Sequence, residues 1–116
     1  MTMTIQRSAM KTEKKEKMRG GEGITAFTYF VPNDTETNAR MLAELSLEPG
    51  ASIGYHQHDK ETEYFIFIAG SGIVNDNGAE HPVKSGDVMV TGNGASHSVK
   101  NTGTVPLVFN AIIVTY

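Results

Sequence analysis

Gly50-Ala51-Ser52-Ile53-Gly54-Tyr55-His56-Gln57-His58-Asp59-Lys60-Glu61-Thr62-Glu63-Tyr64-Phe65-Ile66-Phe67-Ile68-Ala69-Gly70 is the stretch of this 116-residue chain that decides its reading. Tyr64 to Ile68 is apolar at every position, which predicts a strand buried on both faces. His56 and His58 are two residues apart, so on a strand both imidazoles project to one side. Glu63 opens the apolar strand, where an unpaired carboxylate is costly to bury. Ser52, Gly54, His56 and His58 share one parity and are expected to face the same way.

The segments on either side of this stretch also read as strands and turns. Ile24 to Phe30 is β-branched and aromatic and ends at Pro32-Asn33-Asp34. Met41, Ala43, Leu45 and Leu47 alternate with Leu42, Glu44, Ser46 and Glu48, and Pro49-Gly50 closes the segment. Alanine, leucine and glutamate also suit a helix, but clean alternation with that closing pair favours a strand. Asn75-Asp76-Asn77-Gly78 reads as a hairpin turn, with Asn77-Gly78 supplying positive φ. Asp87 to Thr91, His97 to Lys100 and Pro106 to Tyr116 are further strands, separated by turns at Gly92-Asn93-Gly94 and Asn101-Thr102-Gly103. Many short strands and no long helical pattern predict an all-β sandwich or barrel.

Composition narrows the class. The length suits one domain. With 39% hydrophobic and 20% charged residues the chain has the make-up of an ordinary folded domain. No apolar run approaches the ~20 residues of a membrane span. With no cysteine there is no disulfide scaffold, thiol nucleophile, zinc ribbon or iron–sulfur cluster. The formal net charge of -3 argues against a dedicated nucleic-acid binder. The first 18 residues run against that balance. Arg7, Lys11, Lys14, Lys15 and Lys17 outweigh Glu13 and Glu16 there. Lys11 to Lys17 has no apolar periodicity, so residues 1–20 are expected to form a flexible, solvated basic arm, with the barrel domain over 21–116. No apolar leader follows the positive charges, and a cytoplasmic location is expected.

Four histidines carry the chemistry: His56, His58, His81 and His97. His97 opens a strand after a glycine turn, and a closed sheet could bring it to His56, His58 and Glu63. Three imidazoles and a carboxylate suit a divalent transition metal, with open positions for water, substrate or dioxygen. A His-x-His pair alone is weak evidence; the combination with glycines at fixed offsets carries the weight. His81 precedes Pro82 near the hairpin and is read as an ordinary exposed histidine.

That combination resembles the cupin superfamily. Its first motif is Gly, five residues, His-x-His, three or four residues, Glu, six residues, Gly; here Gly50, His56, His58, Glu63 and Gly70 stand at every fixed position. Its second is Gly, five residues, Pro-x-Gly, two residues, His, three residues, Asn; here Gly86, Gly94, His97 and Asn101 match, and Gly92 stands where proline is usual. The resemblance covers residues 50–101 and is similar to that of compact single-domain, RmlC-like cupins. It implies a jelly-roll-like cupin β-barrel with one divalent metal held by His56, His58, Glu63 and His97, iron or manganese favoured and nickel, zinc or copper also suited. Asn101 is expected to bond backbone in the turn that follows.

With Glu63 inward, Phe65 and Phe67 share its face and are expected to line the pocket with Ser52 and Val99. Tyr64, Ile66 and Ile68 then point out of the barrel, and such a face predicts a homodimer. The predicted lining is apolar and aromatic, because the ligand strands carry no inward arginine or lysine; the direction of Arg40 is open. Tyr55, Gln57, Glu61 and Ser96 are the candidates to support the ligands from behind, each read as a surface or turn residue rather than an acid or base. No carboxylate pair or Ser–His–Asp pattern names a catalytic residue. The first functional reading is a metalloenzyme of oxygenase or decarboxylase type acting on a small organic molecule. The alternatives are a non-enzymatic ligand-binding or sensor cupin, and a sugar isomerase-like cupin. Neither nucleic acid nor membrane is an expected partner.

Overall fold

Two antiparallel sheets face each other with the core between them, in a computed structural model that describes residues 2–32 and 38–116. The strands are β1 (Thr12–Glu16), β2 (Ile24–Tyr29), β3 (Ala39–Leu47), β4 (Ser52–Gln57), β5 (Glu61–Ala69), β6 (Ser71–Asp76), β7 (Ala79–Lys84), β8 (Val88–Gly92), β9 (Ser96–Asn101) and β10 (Leu107–Thr115). The larger sheet runs β1-β2-β3-β10-β5-β8 and the smaller β4-β9-β6-β7. Short 3-10 turns at Arg7–Ala9 and Met18–Gly20 are the only helical segments among the described residues. Asn33 and Asp34, read as part of the turn after β2, lie outside those residues.

Period-2 burial builds the core. Ala43, Leu45 and Leu47 of β3, Phe65 and Phe67 of β5 and Phe109, Ala111 and Ile113 of β10 all turn inward and are buried. They meet Ile53, Val74, Val83 and Val99 from the smaller sheet. Phe65, Phe67 and Phe109 form an aromatic cluster with ring centroids 4.5–6.2 Å apart. The hairpin turn follows the expectation: Asn77 and Gly78 have φ of 49° and 103°, and β6 and β7 pair across it. Pro82 sits in β7, an edge strand, where a missing N–H is tolerated. Asn101 is buried. Its amide donates to the carbonyls of Leu47 and Val105, and its side-chain oxygen accepts from the Gly103 N–H, each at 2.9 Å. The expected local bond is therefore present, with a long-range one added.

Two expectations change. Residues 12–16 are not a frayed arm: they form β1, in register with β2 from Thr12↔Thr28 to Glu16↔Ile24. Every β1 side chain is exposed, so an edge strand made of backbone bonds left no apolar period to read. Arg7 is also tied down, donating to both carboxylate oxygens of Glu44 at 2.8 and 3.2 Å. β5 is not buried on both faces either. Tyr64 is 37% and Ile68 49% exposed, because no second layer covers the outside of the larger sheet.

Candidate metal centre

The site is assembled from both sheets. His56 lies on β4, His58 just after it and His97 on β9, while Glu63 reaches in from β5. Pairing of His56 with His97 in the β4–β9 register brings the distant histidine alongside the first pair. Between Ile53 and His56 that register slips, a bulge at Gly54-Tyr55. The bulge reverses parity, so Ile53, His56 and His58 turn toward the interior while Ser52 turns away.

All four predicted donors converge, their ligand atoms lying within 4.8 Å of one another. His58 Nε2 stands 3.1 Å from His56 Nε2, 3.0 Å from His97 Nε2 and 2.9 Å from Glu63 Oε1. His97 Nε2 is 3.0 Å from the same carboxylate oxygen. His58, Glu63 and His97 are buried. The orientation of two rings follows from their other nitrogen. A carbonyl only accepts, so His56 Nδ1–H donates to the Gly54 carbonyl at 2.7 Å. A carboxylate only accepts, so His58 Nδ1–H donates to Glu61 at 2.5 Å. Both neutral rings therefore present bare Nε2 lone pairs to each other and to Glu63. In that neutral form the lone pairs converge on one point, and the donor set could hold a divalent metal ion. Donors about 2.1 Å from an ion and at right angles would be about 3.0 Å apart, while tetrahedral angles would put them about 3.4 Å apart. The four separations of 2.9–3.1 Å are those of neighbouring donors at right angles, while the set as a whole spans up to 4.8 Å.

His97 is held differently. Its Nδ1 is buried with no hydrogen-bond partner, and its ring instead stacks on Phe65 at 4.8 Å. With no ion bound and the rings protonated, burial still works to raise the Glu63 pKa, but donation from His58 and His97 outweighs it and holds the carboxyl below its ordinary range. Burial likewise opposes charge on His58, yet Glu63 and Glu61 together hold it above its usual value. Burial lowers His56.

Of the four candidate supporting groups, Glu61 is the one whose side chain bonds a ligand ring. Read as a turn residue, it opens β5 and accepts from His58 and, through both oxygens, from Arg40 Nε and Nη2 at 2.8 and 3.0 Å. The Arg40 guanidinium, aided by His58, pulls its pKa down to about 2. A carboxylate three residues after His58 was the available signal.

A cavity of about 260 Å³ opens over the cluster, walled by Lys15, Arg19, Arg40, Phe27, Ile53 and Phe65, with Met18, Met41, Leu45 and Ile113 around them. Of the expected lining only Phe65 is there. Ser52 faces away because of the bulge and accepts instead from the Glu22 N–H at 2.9 Å. Phe67 and Val99 lie in the core behind the cluster. The apolar, uncharged lining is also corrected. Three basic residues border the cavity, and they come from β1, the Met18–Gly20 turn and β3 rather than from the ligand strands. Tyr55, Gln57 and Ser96 stay outside the cavity, as expected, and His81 is exposed on β7.

The family pattern described as "Cupin domain" matches residues 43–115. The chain belongs to the cupin family. An oxalate-binding protein of Thermotoga maritima is 38% identical over 113 residues, covering 97% of this chain and 93% of the relative. A crystal structure described as a predicted oxalate decarboxylase, also from Thermotoga maritima, superposes with a TM-score of 0.92 at 36% identity, covering 98% of this chain and all of that one. A polyketide cyclase of Streptomyces resistomycificus shares the cupin architecture at a TM-score of 0.76 with 17% identity, over 99% of this chain and 80% of that one. No helix among the described residues is long and apolar enough to cross a membrane.

Proposed function

We propose that this cupin holds one divalent transition metal through His56, His58, Glu63 and His97 and uses it to bind a small chelating carboxylate, oxalate foremost. The observation that carries this reading is a cavity bordered by Lys15, Arg19 and Arg40 directly over the donor cluster. The oxalate-binding relative, similar over nearly the full length of both chains, supports the choice of ligand. When bound, the metal supplies Lewis-acid attraction for two ligand oxygens. The chain supplies the rest. Phe27, Phe65, Ile53 and Ile113 keep bulk water away, and the basic walls attract the anion. This wall favours an anionic chelator over the weakly charged substrate that an apolar lining would suit.

Turnover is the second reading, favoured by the solved relative described as a predicted oxalate decarboxylase. Decarboxylation to formate needs a proton donor. The two carboxylates nearest the cavity are both committed, Glu63 to the cluster and Glu61 to Arg40 and His58. Binding is therefore placed ahead of catalysis. The deciding experiment is calorimetric titration of oxalate into manganese-loaded protein, with formate and carbon dioxide followed in the same samples. Saturable binding without product supports the binding role; steady formate production establishes the enzyme; no binding in either the metal-loaded or metal-free protein refutes both.

We also propose a homodimer. Leu42, Ile112, Tyr64 and Val90 stand in one row across β3, β10, β5 and β8 on the outer face, and Val88, Val90 and Ile68 are about half exposed. The row reaches the edge strand β8, where a second copy covers it. Light scattering should return twice the chain mass, and Val90→Lys should return the monomer.

A further inference from the structure

We infer that Arg19, carried on the turn between β1 and β2 and clamped beside the donor cluster, is the residue that makes the cavity select doubly charged ligands over singly charged ones. The inference rests on the proposed carboxylate-binding function and adds the group that sets its specificity.

The three basic residues at the cavity are not equivalent. Arg40 is already spent on Glu61, through two hydrogen bonds. Lys15 lies 3.7 Å from Glu13 and 4.8 Å from the centre of the Phe27 ring. Arg19 makes no side-chain hydrogen bond or ion pair to any described residue, yet borders the same cavity as His56.

The backbone under Arg19 is built to hold it there. Lys17 and Arg19 both adopt left-handed φ, 49° and 55°, which costs free energy for residues with a side chain. Lys17 N–H donates to the Gly23 carbonyl at 3.0 Å and closes the turn. Glu22 and Ser52 exchange two bonds across to β4. A Cβ on Gly54 would strike the Arg19 carbonyl oxygen, and one on Gly21 would strike that of Ser52. The turn and the bulged strand thus lie backbone to backbone, an approach that only glycine permits. The same bulge that swings His56 inward receives Arg19, so one contact sets the spacing between metal ligand and guanidinium.

Charge decides the specificity. A divalent ion with Glu63 leaves one positive charge when the imidazoles are neutral. Arg40 with Glu61, and Lys15 with Glu13, cancel in pairs. Arg19 raises the balance to two, which a dianion such as oxalate neutralises and a monoanion does not. Its planar donors also suit the carboxylate oxygens that face away from the cluster.

The test is calorimetry on the manganese-loaded full chain, titrated with oxalate and with glycolate, a chelator carrying one carboxylate. The variants are Arg19→Gln, Arg19→Lys and the comparator Lys14→Gln, an exposed β1 lysine that does not border the cavity, with manganese affinity and thermal melting measured for each. Arg19→Gln should weaken oxalate about ten- to a hundredfold, as expected for loss of a charge-assisted contact. The oxalate-to-glycolate preference should fall about tenfold with manganese affinity unchanged. Arg19→Lys should recover part of the preference, and Lys14→Gln should leave it within about twofold of wild type. Oxalate affinity within twofold of wild type in Arg19→Gln overturns the inference and leaves the proposed function standing. Equal weakening of both ligands also overturns it, since the effect would then be general attraction. A wild-type protein that binds neither ligand overturns the proposed function and this inference together.

Discussion

Replacing Glu61 by glutamine tests whether the residue behind the metal cluster controls it. The change removes one charge and keeps the shape. Glu61 accepts three hydrogen bonds: from His58 Nδ1 and Arg40 Nη2 on one oxygen, and from Arg40 Nε on the other. Both partners are obligate donors here, and a glutamine offers one acceptor and one donor. With its oxygen toward His58, its NH2 faces Arg40 Nε. With its oxygen toward Arg40 Nε, its NH2 faces the His58 ring and pushes the proton to Nε2, where the metal must bind. Either way at least one charge-assisted bond is lost, worth about 1.5–3 kcal/mol. The ligand basicity lent to His58 by a full carboxylate is lost as well. A ten- to hundredfold fall in manganese affinity is expected, about 1.4–2.7 kcal/mol, which is the usual effect of removing such a support. The assay is manganese binding in competition with a chromophoric chelator at pH 7.5, with His58→Gln as the reference for loss of a direct ligand. Affinity within twofold of wild type in Glu61→Gln, with His58→Gln abolishing binding, would refute the account of Glu61 as the group that orients the ring.

Three further outcomes follow from the geometry. His97→Ala should remove one of the four converging donors and bring metal content, measured by elemental mass spectrometry on untagged protein, well below one per chain; wild type should also lose metal below about pH 6, where imidazoles take up protons. Asn101→Ala deletes three hydrogen bonds from a buried side chain and leaves the Leu47 carbonyl without that donor, so urea denaturation should show a loss of about 2–4 kcal/mol, and an unchanged midpoint would refute the role. Tyr29 is raised by burial and by its bond to Glu13 to about 12, so its phenol should ionise last in an absorbance titration. Because the folded value lies above the unfolded one, its contribution is full below about pH 10 and lost as pH climbs through 12; Tyr29→Phe should abolish that part of the alkaline stability loss.

The ligand set was legible because each of its residues sits at a strand end with a glycine turn at a fixed distance. Parity along β9 put His97, Val99 and Asn101 on one buried face, as the structure shows. The same rule failed on β4. The Gly54-Tyr55 bulge adds a residue to one strand only, which no alternation pattern can reveal, and Ser52 was assigned to the wrong side for that reason. The basic wall was missed for a different cause. Lys15, Arg19 and Arg40 lie outside the ligand strands and reach the cavity only when the larger sheet curls over the smaller one. β1 carries no buried side chain, so backbone pairing alone makes it a strand, and the sequence holds no signature of that. Glu61 was a candidate support, but it could not be singled out because its role depends on Arg40, a partner brought near by the fold.

His56, His58 and His97 belong to one sheet or its edge, while Glu63 belongs to the other. A cation bound by all four therefore rivets the two layers together, in a chain with no sulfur cross-link available. Layer separation during unfolding has to release the ion, so each tenfold rise in free metal above the dissociation constant adds about 1.4 kcal/mol to the work of opening. The melting temperature thus becomes a gauge of metal supply. A cell that starves the protein of a bound ion would weaken the fold along with the binding site.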